Sequence, residues 1–403
     1  MSSASAVLST LRSELRGVAV IRLALAYSLA TAGLSLTPFL VASVMLRFQL
    51  DESVATQMAG VEILGIAISC ALLPRWITRT AGTFTLIGIV GIITGQLFSA
   101  MATTVIGVCI ARGLTGLCEG ALFVIVGSAI SQRVGTDRLW GKINLIAGAI
   151  NGSVLVMISN LPESWLSRWL FLLLTGVALM IAPWITTIGK LTHTVVQVSR
   201  GVKPPRKLVL SVWVCTVLIY GVQASQWAVS TIVGSHAGLT AVTTGMLLSI
   251  SSLLGFAGAI VPSIRGCHNH RLSIIWFAQL VLAGSIIWFF LEGDAWSFFL
   301  SQVMMNTAFF IIIPFLSGLL SDVDPDGSLI ARTVVITFLG AGLGTAVAGS
   351  LFSQLGAIQF ACGLGLGIAF TMPFVWLSLR SALPVNSYAT VPHANTGTLT
   401  HRT

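Results

Sequence analysis

Charge is scarce in this sequence. Of 403 residues only 8% are Asp, Glu, Lys or Arg, too few to cover the surface of a water-soluble protein of that length. Histidine is as thin: His193, His236, His268, His270, His393 and His401 all fall in expected loops or tails. No nucleophile–base set accompanies them, so the chain is read as no enzyme. The six cysteines, Cys70, Cys109, Cys118, Cys215, Cys267 and Cys362, are scattered singly, without metal-ligand or disulfide spacing, and read as small core residues. The acidic loop "SDVDPDGS" (321–328) lacks the ligand series and terminal glutamate of a calcium loop and reads as a solvated turn. No metal or cofactor is expected. Segments of alternating polarity are missing too, which excludes a transmembrane barrel. The net charge of +9 is not gathered into a basic patch, which excludes nucleic acid as a partner.

Apolar residues fill the space that charge leaves. They make up 55% of the chain, mean hydropathy is +0.96, and runs of 18 or more recur between short polar breaks. Such runs predict membrane-spanning helices, which satisfy their own backbone hydrogen bonds. Twelve are expected, at about 18–46, 53–74, 81–101, 103–131, 139–161, 165–187, 208–234, 240–263, 271–291, 295–321, 328–354 and 356–380. The first run is too long for a signal peptide and is read as a retained helix. The domains expected are a first six-helix bundle (1–188), a basic cytoplasmic linker (189–207), a second bundle (208–380) and a polar tail (381–403). With twelve spans, 18 of the 21 Lys and Arg fall on one side, against Arg47 and Arg168 on the other. The positive-inside rule therefore puts both termini in the cytoplasm. The halves echo each other, since "ALLPR" (71–75) and "AIVPSIR" (259–265) place Pro74 and Pro262 at the same end of the second and eighth spans.

The remaining basic residue lies inside a span. "ARGLTGLCEGALF" (111–123) carries Arg112 and Glu119 on one face of the fourth helix, seven residues and roughly 10 Å apart along the axis. A charge at the bilayer centre costs on the order of 3 kcal/mol, so lipid-facing placement is excluded. Two readings stand. Either Arg112 binds an anionic group or tunes a proton site while Glu119 titrates, or both are packing groups satisfied by neighbours. Glu62, the other acid inside a span, lies at the depth of Arg112, so an ion pair between them is feasible, with a structural or a proton-coupling role. In the seventh span Tyr220, Gln223 and Trp227 share a face, with Gln226 at its edge; in the tenth, Gln302 and Asn306 are four apart. These neutral groups either line a substrate cavity or bond between helices. Tyr27, Thr31 and Ser35 make a weaker stripe, read as packing. Gly340, Gly344 and Gly349 in the eleventh span, with Gly148 and Gly152 in the fifth, let backbones approach closely, in static packing or on surfaces that slide.

Twelve spans in two halves, a basic central loop and both ends inside resemble the major facilitator superfamily of secondary transporters. Arg112, Gly113, Gly116 and Gly120 look like that family's fourth-helix motif. Two departures stand out. "LLPRWITRTAG" (72–82) has no acid where the family's loop signature carries an aspartate, and "AGAINGS" (147–153) has Asn151 and no Gly-Pro pair of the kind found in drug/proton antiporters. The resemblance implies an all-α membrane protein of two six-helix bundles that moves a small organic solute by alternating access, coupled to protons, as a monomer in a bacterial inner membrane. The alternative is a multidrug or toxic-metabolite proton antiporter. A channel would need a pore-lining ring or filter, and none is visible.

Overall fold

The computed structural model describes residues 17–382 except 132–135, 163–164, 166, 193–204, 265–266, 268–269, 292, 322 and 325–327. The expected polar tail from residue 383 on, most of the expected linker, His193, His268, His393, His401 and much of the 321–328 loop lie outside the described residues. Every regular element among the described residues is helical. The α-helices are α1 (Gly17–Ala30), α2 (Ala32–Ser35), α3 (Thr37–Phe48), α4 (Glu52–Leu72), α5 (Pro74–Met101), α6 (Val105–Ser131), α7 (Thr136–Ser159), α8 (Trp169–Ile185), α9 (Arg206–Ala228), α10 (Ser230–His236), α11 (Ala241–Gly255), α12 (Arg271–Phe290), α13 (Ala295–Ser321), α14 (Ser328–Leu355) and α15 (Ala357–Ala382). Short 3-10 segments follow α8 (Ile188–Leu191) and α11 (Phe256–Ser263).

Ten of these segments are long and apolar enough to cross a membrane; Gly17–Ala30, Thr37–Phe48 and Trp169–Ile185 are apolar but shorter. Large apolar side chains such as Ile106, Phe277 and Leu366 stand exposed, as lipid-facing groups do. This is an integral membrane architecture.

The first expected span is not one helix. Non-helical angles at Thr31 and Leu36 divide it into α1, α2 and α3. Pro38 has no N–H to give to the carbonyl of Leu34, and the Thr37 hydroxyl bonds the freed carbonyls instead, Gly33 O at 2.7 Å and Leu34 O at 3.0 Å. The seventh expected span breaks in the same way. Val229 separates α9 from α10 with the same φ and ψ as Leu36, −98° and 5°, and the Ser230 hydroxyl bonds the Trp227 carbonyl at 2.7 Å. Each half thus opens on a broken helix. The third helix starts at Pro74 rather than near residue 81, because proline is well placed in a first turn, and it bends at Thr80 (φ −130°, ψ 22°). The linker is shorter than expected at its far end, since Arg206 already begins α9.

Two antiparallel contacts join the halves. Along α4 and α14, Gly349 donates its N–H to Thr56 Oγ1 at 3.0 Å, the Ser53 and Ser350 hydroxyls bond, and Gly60 faces Ala346. Along α7 and α11, the Ser249 hydroxyl bonds the Gly152 carbonyl at 3.1 Å and Gly148 faces Phe256. Gly340 and Gly344 instead face the α9 backbone at Val217 and Gly221, inside the second half. Cys70 and Cys215 are buried, but Cys362 is exposed on α15, against the core placement expected.

Candidate functional site

The glycines after Arg112 explain how the arginine meets its partner. A Cβ on Gly116 would strike the carbonyl oxygen of Glu62, and one on Gly120 would lie 2.7 Å from the carbonyl oxygen of Ile66. With no side chain there, α6 and α4 approach at backbone distance, and Ser69 Oγ donates to Leu117 O at 2.6 Å across the seam. Arg112 then reaches Glu62 with two donors: Nε bonds Oε2 at 2.9 Å and Nη2 bonds Oε1. Its Nη1 donates to Gln96 Oε1 at 2.8 Å, and the guanidinium carbon sits 5.5 Å from the Phe171 ring centroid. All three guanidinium nitrogens are engaged, and both charged residues are buried. A planar fork matched to a carboxylate is the strong form of such a pair.

Glu119 is fully buried and makes no hydrogen bond to Arg112. Its Oε1 accepts the N–H of Gly33 at 3.3 Å, while Oε2 has no partner among the described residues. Gly33 lies in α2, between the breaks of the first span. A Cβ at Gly33 would lie 2.6 Å from Glu62 Oε1 and 2.8 Å from Glu119 Oε2. The two carboxyl groups therefore lie side by side over one glycine, and only Glu62 is paired with the guanidinium.

The same break is tied on two further sides. Ser28 Oγ donates to Asn151 Oδ1 at 2.6 Å, and Asn151 Nδ2 donates to Thr31 Oγ1 at 3.3 Å and Ser35 Oγ at 3.1 Å. Asn151, at the departure from the antiporter motif, thus knits α7 to the first helix. From the second half, Trp227 Nε1 donates to Ser35 O at 3.2 Å and Thr231 Oγ1 to Pro38 O at 3.1 Å. Toward the other end of the first helix, Tyr27 packs with Phe123 and Trp140, and Phe123 meets Phe338 of the second half edge-on at 4.9 Å.

In the second half Gln223 Nε2 donates to Asn306 Oδ1 at 3.3 Å, joining α9 to α13. Tyr220 meets Phe309 edge-on at 5.0 Å. Next to that ring pair, Thr216, Tyr220, Ile313 and Ser317 line a cavity of about 30 Å³. Gln226 and Gln302 are fully buried, and neither end of either carboxamide has a partner among the described residues.

No family profile matches the sequence, and no curated protein matches it. Solved structures do. The human organic anion transporter MFSD10 (TETRAN) superposes with a TM-score of 0.62 at 14% identity, over 89% of this chain and 99% of that one. A POT family transporter bound to a thioalcohol-conjugated peptide gives 0.70 at 13%, over 91% and 96%. A variant of the nucleoside transporter NupG gives 0.63 at 12%, over 92% and 99%. The chain has the fold of the major facilitator superfamily transporters. Within that fold the predicted residues form two groups. Glu62, Arg112 and Glu119 gather at Gly33, while Gln223 and Asn306 meet between α9 and α13 beside Tyr220; Gln226 and Gln302 are buried on the same two helices, and Trp227 reaches toward the first group through Ser35. Sequence reasoning did not mark Gln96 or Gly33 as site residues. Gln96 had a usable signal, a lone amide inside an apolar run. Gly33 had only the nearby Thr-Pro pair at 37–38.

Proposed function

We propose that the chain is a secondary active transporter that moves a small organic solute across a bacterial inner membrane by alternating access, coupled to protons. The observation that carries this reading is the pair of carboxyl groups over Gly33, of which only Glu62 is bonded to the guanidinium of Arg112. With both acids ionised the buried site holds an excess negative charge, which is costly away from water. One proton removes it, and Glu119, with an unpartnered oxygen and no cation of its own, is the residue that carries it. Glu62 stays paired with Arg112. The break at Gly33 also holds Ser35, whose carbonyl takes the Trp227 bond from the other half. Gaining or losing the proton thus bears on the contact that opens and closes.

The reading includes twelve spans in two six-helix bundles. The broken α1–α3 makes the first span. Trp169–Ile185, about 26 Å long at 1.5 Å per residue, makes the sixth with help from the 3-10 turn after it. Both termini lie in the cytoplasm. Tyr220, Gln223, Gln226, Trp227, Gln302 and Asn306 bind the solute. The peptide, nucleoside and organic anion handled by the neighbours are all small organic solutes, which supports the class. A multidrug or toxic-metabolite antiporter is the second reading, favoured by the aromatic cluster of Tyr27, Phe123, Trp140 and Phe338.

The test is acid-driven accumulation in proteoliposomes, with a peptide, a nucleoside and an organic anion as probes and a trapped dye reporting protons. Glu119→Gln should abolish concentrative uptake and proton flux while leaving exchange intact. Undiminished accumulation by the Glu62→Gln/Glu119→Gln double variant would defeat proton coupling through this site.

A further inference from the structure

The carboxamides of the second half specify what kind of solute fits. Pairing between α9 and α13 is antiparallel and regular: Thr216 and Ile313 line one cavity, Tyr220 packs on Phe309, and Gln223 bonds Asn306. Continuing that pairing by helical spacing, one turn on each helix, brings Gln226 and Gln302 to the next rung. Four carboxamides therefore stand on two successive turns, with no Asp, Glu, Lys or Arg in the interior of either helix. Six of their polar atoms have no partner among the described residues: Gln223 Oε1, both ends of Gln226, both ends of Gln302, and Asn306 Nδ2. Leaving such groups buried and unbonded is costly, so this is an unusual concentration of unmet hydrogen bonding. Trp227, beside Gln226, makes the bond to Ser35 of the other half, so the rung borders the surface that parts when the halves separate.

The free ends define the ligand. A carboxamide sets an N–H donor beside a C=O acceptor, and its complement is the same pair reversed. Cations and anions have no counter-charge here, and in the first half the guanidinium of Arg112 is already filled by Glu62 and Gln96. We infer that Gln226 and Gln302, with Gln223 and Asn306, bind an uncharged solute through an amide edge, an N–H adjacent to a C=O, of the kind carried by lactams, cyclic ureas and imides. This rests on the transporter reading and names the substrate class of its site.

The test is equilibrium binding and thermal shift on the purified full-length protein. The probes are uracil, pyrrolidinone and imidazolidinone, their N-methylated forms, benzoate, tetraethylammonium and glucose. At least one amide-edge probe should bind, and its N-methylated form, with the donor removed, should bind at least about tenfold more weakly. Gln226→Met and Gln302→Met, close in shape but without polar ends, should each weaken binding by a similar factor while raising the melting temperature of the unliganded protein. The N-methyl series uses the wild-type chain and so stands even if a variant fails to fold. Binding of benzoate, tetraethylammonium or glucose in preference to every amide-edge probe overturns the inference, as does equal binding of the N-methylated forms or no amide binding at all. In those cases Glu119-dependent proton flux with any other solute leaves the transporter reading intact, and its absence removes both.

Discussion

The indole nitrogen of Trp227 donates to the carbonyl oxygen of Ser35 at 3.2 Å, tying the broken first helix of one half to the helix end two residues before the break in the other. Trp227→Phe keeps an aromatic ring and removes the donor. A bond worth about 1 kcal/mol sets the closed-to-open ratio by about fivefold. The alkylation rate of Thr231→Cys, in a chain with Cys362→Ser, should rise by that factor in the Trp227→Phe background. An unchanged rate would mean that the bond does not hold the halves together.

Arg112→Ala leaves Glu62 buried without its partner, and breaking such a pair costs about 3–5 kcal/mol. Folded yield and melting temperature should fall along with transport. Adding Glu62→Gln to Arg112→Ala should recover much of the stability and none of the coupled transport. Arg112→Lys should rescue only in part, because a point charge replaces a planar fork. Full stability of Arg112→Ala alone would show that the ion pair is dispensable to the fold.

Gly116→Ala puts a methyl group against the Glu62 carbonyl oxygen. Forcing α4 and α6 apart should cost about 1–3 kcal/mol and pull Glu62 out of register with Arg112. Gly127, with nothing near its missing Cβ, is the control, and Gly127→Ala should be neutral or slightly stabilising in thermal unfolding.

Asp294 lies just outside the helix it caps, its carboxylate accepting the backbone N–H of Ser297 at 2.9 Å and the hydroxyl of Ser297 at 3.0 Å. Those bonds hold the carboxyl below its ordinary range. A depressed carboxyl stabilises the fold above its unfolded value, and the contribution is lost as pH falls through the folded one. Wild type should therefore exceed Asp294→Asn in stability at neutral pH, with the difference shrinking below about pH 4. A pH-independent difference would assign the effect to packing.

The proposed twelve-span topology would put residue 403 and the 193–204 segment on the same, cytoplasmic side. Reporter fusions at both should read inside. A periplasmic signal from either would remove one span from the count.

The apolar runs carried the helices, because a spanning segment announces itself by length and composition alone. They did not carry the breaks. At Leu36 and Val229 the run stays apolar while the backbone leaves the helix, and only Pro38 at the first site hints at it. The polar rows on the seventh and tenth spans were legible as faces from their 3.6-residue spacing. That Gln223 bonds Asn306 while Gln226 and Gln302 have no partner among the described residues depends on helix pairing, which no spacing within one helix contains. Likewise Arg112 and Glu62 could be matched by depth, but Gln96 joins them only through the packing of α5 on α6. Glu119 illustrates the limit best: its spacing gave it a face shared with Arg112 but no partner, and the fold turns it onto Gly33.

Gly33 carries a consequence for how this sequence is free to change. The volume that its absent side chain leaves is filled by the carboxyl groups of Glu62 and Glu119, so positions 33, 62 and 119 are bound together by space as well as by charge. A methyl group at 33 demands a shorter residue at one of the other two, and a shorter residue at either makes room for the methyl. Among divergent relatives the three positions should drift as a set, and chains that have lost one acid are the ones in which alanine or serine will stand at 33.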